Sequence, residues 1–277
     1  MSAHPLRLAV CTLNVWGHAP GPVNPDRRAA LLKTISALAS DIFLLQEVSP
    51  SILEDIDARL PEYARIPSGE GEGEGGGWTS ESQIYFRRSL LTLVAHGVEM
   101  DVGMTGAYFA RRGLFWARLQ VVAPNLSHKS VFVATCHLPW VGGEEECATG
   151  LNPRVGCCHL IRRHLNRLIN AADSLAVFGG DLNEDFHPPR ILTAAPPDDD
   201  RGAGTPFLEL FASLDMAPPP THPVRPSDPS EQERPNRTID WLFHRGAVRV
   251  VAAFAKTPRG QNGSDHLPVI GVYELLP

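Results

Sequence analysis

The sequence predicts an α/β fold in which two β-sheets pack face to face with helices on the outside. Three observations lead there. Segments of strand character and segments of helical character alternate along the chain. About ten are of the strand type, more than one doubly wound sheet usually needs. No linker divides them, so the 277 residues are expected to form one domain, 1–277.

Taken in order, LRLAVCTLN (6–14) is β-rich and partly alternating, as a strand requires. NPDRRAALLKTISALAS then opens with Asn24 as a helix cap, Pro25 at the first helical position and Asp26 in the first turn. Leu31, Ile35 and Leu38 share one face of that helix. DIFLLQEV (41–48) is a short apolar run bounded by polar residues, which reads as a buried strand. Strand character returns in SQIYFRR, LLTLVAHGV, GLFWARLQVV, SVFVATCHL, SLAVFGG, TIDWLFHR, AVRVVAAFA and LPVIGVYEL. Residues 152–172 predict a second helix, capped by Asn152, with Pro153 next and Ile161, Leu165 and Leu168 on one side. Residues 71–77, 139–150, 183–204 and 217–236 read as loops, of a length that in compact domains usually marks function.

Composition narrows the function. A hydrophobic fraction of 43% allows a sizeable core, and a net charge of −6 argues against a basic surface that holds nucleic acid indiscriminately. No run of roughly 18 apolar residues occurs, and the first residues lack a secretory pattern. Five cysteines, an odd number partly set in apolar runs, suit a reducing compartment. The expectation is a soluble cytoplasmic protein with no membrane partner.

Polar residues gather where the predicted strands end: Asn14, Glu47, His137, the Asp181/Asn183 pair and Asp240, with Asp265 and His266 just before the last strand. Each has an ordinary explanation as a turn or cap residue. Six segments doing the same thing at one side of a sheet do not. Glu47 follows IFLLQ, where an unpaired charge is expensive, and a hard divalent cation removes that cost. Magnesium favours one or two carboxylates with water and substrate phosphate. Two histidines and an aspartate supply the rest of a phosphoester-cleaving set.

These residues resemble the endonuclease/exonuclease/phosphatase superfamily of metal-dependent phosphoesterases. The matching blocks run in the family's order: TLNVWG (12–17), LLQEV (44–48), ATCHL (134–138), GGDLN (179–183), TIDWLF (238–243) and GSDHLPV (263–269). The resemblance implies a four-layer sandwich with two mixed sheets inside. It further implies Glu47 as the principal ligand of Mg2+, with Mn2+ as a substitute, and Asn14 and Asp265 lining the metal end. Asp181 would activate or orient water, Asn183 would support the phosphate, and His266 would stabilise it. His137 would have Asp240 as its carboxylate partner. The implied chemistry is in-line attack by water without a covalent enzyme intermediate.

For substrate, the leading expectation is nucleic acid, handled by a nuclease or a 5′-tyrosyl-DNA-like end-processing phosphodiesterase. FLLQEVSP and AVFGGDLN resemble that last branch, whereas HLPW lacks its acidic residue after HL. The alternative is a phosphatase or phosphodiesterase of inositol, sugar or lipid phosphates; a remote one is a non-catalytic binding module on the same fold. Trp78, Trp140 and Arg154 are the candidate substrate contacts, two loop aromatics for stacking and one cation for phosphate.

Overall fold

Alternation along the first strand sets the frame. In β1 (Leu6–Asn14), Leu8 and Val10 enter one apolar layer while Cys11 and Leu13 enter another, the period-two result of a pleated strand buried on both faces. The computed structural model describes residues 5–17, 24–67, 81–104, 112–195, 205–222, 236–256 and 263–275. Along it follow α1 (Pro25–Leu38), β2 (Ile42–Gln46), α2 (Pro50–Arg59), β3 (Tyr63–Arg65), β4 (Gln83–Arg87), β5 (Leu91–Glu99), β6 (Leu114–Val121) and β7 (Ser130–His137). Then come α3 (Glu144–Thr149), α4 (Pro153–Leu168), β8 (Asp173–Asp181), α5 (His187–Thr193), β9 (Leu208–Glu209), β10 (Asp240–Arg245), β11 (Val248–Ala255) and β12 (Val269–Leu275).

Two six-stranded sheets result, in the orders β11-β12-β1-β2-β4-β3 and β5-β6-β7-β8-β10-β9. Each is mixed, with one parallel pair near its centre, β1 with β2 and β7 with β8. Leu8, Val10, Ile42, Leu44 and Ile84 of the first sheet meet Phe115, Val131, Val133, Val177 and Leu242 of the second in one buried layer. Outside it, α1 and α2 cover the first sheet through Leu31, Ile35, Ile52 and Ile56. On the far side α4 and α5 cover the second through Cys157, Ile161, Leu165 and Leu192. The expected four-layer α/β sandwich is present.

The helix caps act as read: Asn24 accepts from the Asp26 N–H and Asn152 from the Arg154 N–H. Several bounds differ. The second predicted helix stops at Leu168, and residues 139–150 and 183–204, read as loops, contain α3 and α5. Both are a turn or two long, too short for a hydrophobic period to show. The 3-residue β3 and 2-residue β9 escaped notice for the same reason. Gly179 and Gly180 do not turn the chain. They lie inside β8, where a Cβ on Gly180 would stand 1.9 Å from the Cys136 carbonyl oxygen and one on Gly179 2.4 Å from Leu242, so their smallness lets three strands approach. All five cysteines are free thiols. No helix among the described residues is long and apolar enough to cross a membrane.

One buried histidine gives this frame a measurable pH response. His244 in β10 is bound through Nε2 to Ser213 Oγ at 2.9 Å, and burial depresses its pKa from 6.5 to about 4. The unfolded chain therefore binds the extra proton first as pH falls. The stability due to neutral His244 is whole above pH 6.5 and lost on descent towards pH 4, by roughly 3 kcal/mol. Urea titrations of wild type and His244→Gln should diverge over that window, wild type falling more steeply. Parallel pH profiles would contradict this assignment.

Candidate active site

Following the inner layer towards one end of the sandwich, apolar residues give way to polar ones at the same two-residue spacing. Leu8 and Val10 lead to Thr12 and Asn14; Val131 and Val133 lead to Thr135 and His137. Leu175 and Val177 lead to Gly179 and Asp181, while Ile42 and Leu44 lead to Gln46. Gln46 Nε2 bridges the sheets by donating to Thr135 Oγ1 at 2.8 Å and Thr12 Oγ1 at 3.1 Å. Parallel register puts His137 beside Asp181, and antiparallel register puts Asp240, the first residue of β10, beside Asp181 as well. Opposite strand directions thus bring a strand start and two strand ends to one place.

Asp181 is the hub. Its Oδ2 accepts from Asn14 Nδ2 at 3.0 Å and lies 3.3 Å from His137 Nε2 and 3.7 Å from His266 Nε2. Its Oδ1 accepts from the Asn183 N–H at 2.9 Å, and Asn183 Nδ2 donates to the Leu138 carbonyl. Asn14 Nδ2 also donates to Glu47 Oε1 at 3.0 Å, while its Oδ1 accepts from the Trp16 N–H at 2.8 Å. The amide faces two acceptor-only carboxylates with its donor end, so Asn14 clamps Glu47 and Asp181 together. Trp16, Glu47 and Asn183 have φ of 54°, 57° and 53°. Non-glycine residues rarely hold that conformation, which costs about 1–3 kcal/mol each and concentrates at functional sites.

His137 has a different carboxylate partner from the one expected. Asp240 faces His266, whose Nδ1 lies 2.9 Å from Asp240 Oδ2. His137 Nδ1 instead meets Glu81 Oε1 at 2.8 Å, and Glu81 is paired with Arg112 at 2.6 Å. Thr221 fixes Asp240 by accepting from the Ile239 and Asp240 N–H groups, at 3.2 Å each. Glu81 was missed because it follows the glycine-rich stretch, two residues before β4; a reading of strand starts alongside strand ends finds it. His222, within 4.5 Å of the His266 ring, sits in a proline-rich segment with no sequence signal.

Burial opposes charge at Asp181, Asp240 and His266. At Asp181 it is outweighed by His266, then His137, with Asn14 and the Asn183 N–H adding to them, and the carboxyl lies below its ordinary range. At Asp240 burial prevails over His266 and the pKa is raised. At His266 the burial penalty is overcome by Asp240 and then Asp181, which lift the imidazole from 6.5 to about 10. The proton is therefore held through neutral pH.

A cavity of about 330 Å³ opens over these groups, near the lower end of the usual size for a small-ligand site. Glu47, His137, Asp181, Asn183, Asp265 and His266 line it, together with Trp140 at 39% exposure. Arg154 does not. It is 2% exposed and binds Glu146 and Glu184 and the carbonyls of Pro139 and Trp140, so the expected phosphate contact is instead a buried support for the segment carrying Trp140. Trp78 lies outside the described residues.

For a divalent cation the donor set is suitable. Asp265 Oδ1 is buried with no hydrogen-bond partner among the described residues, and Glu47 offers a second carboxylate at the same mouth. Hard oxygen donors of this kind suit magnesium.

The sequence pattern of the Endonuclease/Exonuclease/phosphatase family matches residues 11–266. The chain belongs to that family. Its members are hydrolases that usually use a divalent metal. Among solved structures, the family member from Bacteroides vulgatus is 21% identical over 98% of this chain and 99% of its own, with a TM-score of 0.69. TDP2 from D. rerio, solved with a single-strand DNA product, is 17% identical over 96% and 98%, with a TM-score of 0.68. A mannosyl-6-phosphatase from Bacteroides thetaiotaomicron is 17% identical over 96% and 99%, with a TM-score of 0.65. At such identities the likeness is one of fold. No curated protein sequence matches the chain.

Replacing Asp240 by Asn removes the first of the two charges that hold the His266 proton. In the metal-free protein, the His266 imidazole followed by NMR should titrate well below its wild-type midpoint. An unmoved midpoint would show that Asp240 is not its electrostatic partner.

Proposed function

We propose that the protein is a magnesium-dependent phosphodiesterase that hydrolyses its substrate by in-line attack of water. The observation that carries this is the convergence on Asp181 Oδ2 of Asn14, His137 and His266 within 3.7 Å, at the floor of an open cavity. Glu47, with Asp265 at the same end, would hold the ion; when bound, Mg2+ neutralises charge on the substrate phosphate, and Mn2+ serves in its place.

The chain's own groups divide the remaining tasks. Asp181 orients the water, and its depressed pKa makes it a better acceptor of a hydrogen bond than of a proton. Asn183 supports the phosphate in line. Protonated His266, its Nδ1 fixed by Asp240, directs Nε2 at a phosphoryl oxygen. His137, backed by Glu81 and 3.3 Å from Asp181, protonates the leaving oxygen as its bond to phosphorus breaks, and the proton lost by the attacking water returns to solvent. Trp140 at the rim would stack on a base or an aromatic leaving group. A nucleic-acid end, as in the DNA-product complex of TDP2, is the substrate this arrangement favours.

The test is hydrolysis across a panel of single- and double-stranded DNA, RNA, 5′-tyrosyl oligonucleotide, abasic duplex, inositol phosphates and sugar phosphates. Activity should require Mg2+ or Mn2+ and fall at least 10³-fold in Asp181→Asn, with its thermal melt retained. Full turnover by a folded Asp181→Asn protein would exclude the role.

One observation favours a smaller substrate. Arg112 and Arg237 at the cavity are already bonded within the protein, to Glu81 and the Leu138 carbonyl and to the Asn183 carbonyl respectively, and the chain is acidic overall. Salt separates the readings, because contacts to many backbone phosphates weaken steeply with ionic strength. For a nucleic-acid substrate, log kcat/KM against log salt should fall with a slope of several; a flat profile with higher activity on sugar or inositol phosphate would favour the second reading.

A further inference from the structure

We propose that His222, Asp265 and His266 form a second cation site that takes an imidazole-preferring ion such as Zn2+. Their ligand atoms all lie within 4.8 Å of one another. Asp265 stands between the rings, with Oδ2 3.7 Å from His222 Nε2 and Oδ1 3.8 Å from His266 Nε2. Two donors bound at about 2.1 Å to one tetrahedral ion stand roughly 3.4 Å apart, so from within 4.8 Å of one another the three ligand atoms close on an ion by moving together up to about 1.4 Å. The rings are 4.5 Å apart, tilted by 42°, with both Nε2 atoms towards the same carboxylate.

Three features separate this cluster from a chance meeting of polar groups. His266 Nδ1 is taken by Asp240 at 2.9 Å, so an ion binds at Nε2 by displacing the proton held there to solvent; metal-binding histidines are commonly oriented by a carboxylate in this way. Asp265 Oδ1 is buried and accepts no hydrogen bond among the described residues. Two imidazoles with one carboxylate favour zinc over magnesium, which prefers oxygen. Glu47 is not one of the three, whereas Asp265 is shared with the magnesium end proposed above, so the two ions compete for its carboxylate and differ in preference. His222 Nδ1 has no hydrogen-bond partner among the described residues. Among the described residues its ring is held by packing on His266 and by the Asp265 carboxylate near Nε2.

An ion here occupies Nε2 of His266, the atom assigned above to the substrate phosphate. Zinc binding would therefore inhibit, and this consequence alone rests on the proposed function. Occupancy itself is independent of any turnover.

The experiment is equilibrium dialysis of the full chain against Zn2+ in buffer free of Mg2+, with bound zinc measured directly. Cys147→Ser serves as the background because Cys147 is the one exposed thiol. Wild type and Cys147→Ser should each bind one equivalent. His222→Asn and Asp265→Asn, checked for a retained thermal melt, should each weaken binding at least tenfold. Absence of zinc binding to wild type, or undiminished binding by either folded variant, would overturn the site. If His222→Asn does not fold, His222→Gln decides. Zinc bound as expected, with no phosphoester hydrolysed on any substrate, would leave the site standing and count against the proposed function.

Discussion

A carboxylate shut away from water at the seam between two sheets is the constraint on which this structure turns. Asp181 is 1% exposed, and a charge so placed costs several kcal/mol unless its surroundings answer it. The answer comes from three directions. Asn14 reaches it from the first sheet, His137 from the neighbouring strand of the second, and His266 from the turn before β12. Asn14 and His266 reach it only when the two sheets meet in one register, so the buried charge also specifies how the sheets meet. Gln46, spanning from Thr12 to Thr135 one step deeper, repeats the arrangement in neutral form.

The same geometry explains what was legible in the residues. Strand alternation places Leu8, Val10, Thr12 and Asn14 on one inner face, so the functional residues continue the core pattern and their positions follow from it. What alternation cannot supply is pairing across the seam. Asp240 and Glu81 are both carboxylates at strand starts, and only the three-dimensional order of β4, β7 and β10 assigns Glu81 to His137 and Asp240 to His266. Arg154 shows the converse. An arginine in the first turn of a helix resembles a phosphate contact, yet the short α3 beside it, invisible to periodicity, turns that arginine inwards to Glu146. His222 carried no signal because its proline-rich segment has no period at all.

The shared centre and the rim have different owners. Family membership accounts for the sandwich and its hydrolytic centre, and solved relatives include one with DNA product and one named as a mannosyl-6-phosphatase. Choice of substrate therefore belongs to what surrounds the centre. Bordering the centre here is the Trp140 segment, held by Arg154, which is itself paired with Glu184. Strain is placed to match: Trp16, Glu47 and Asn183 all line or border the cavity in a backbone conformation their side chains disfavour. Such strain persists only where the surrounding packing holds it.

The central claim is that the phosphate reacts over Asp181, between Glu47 on one side and His266 on the other. A crystal structure of the protein with Mg2+ and inorganic phosphate tests it most directly. The claim predicts the phosphate in hydrogen-bond reach of His266 Nε2 and Asn183, with the ion on Glu47. Phosphate bound elsewhere in the cavity with Asp181 remote from it, or magnesium away from Glu47, would contradict it.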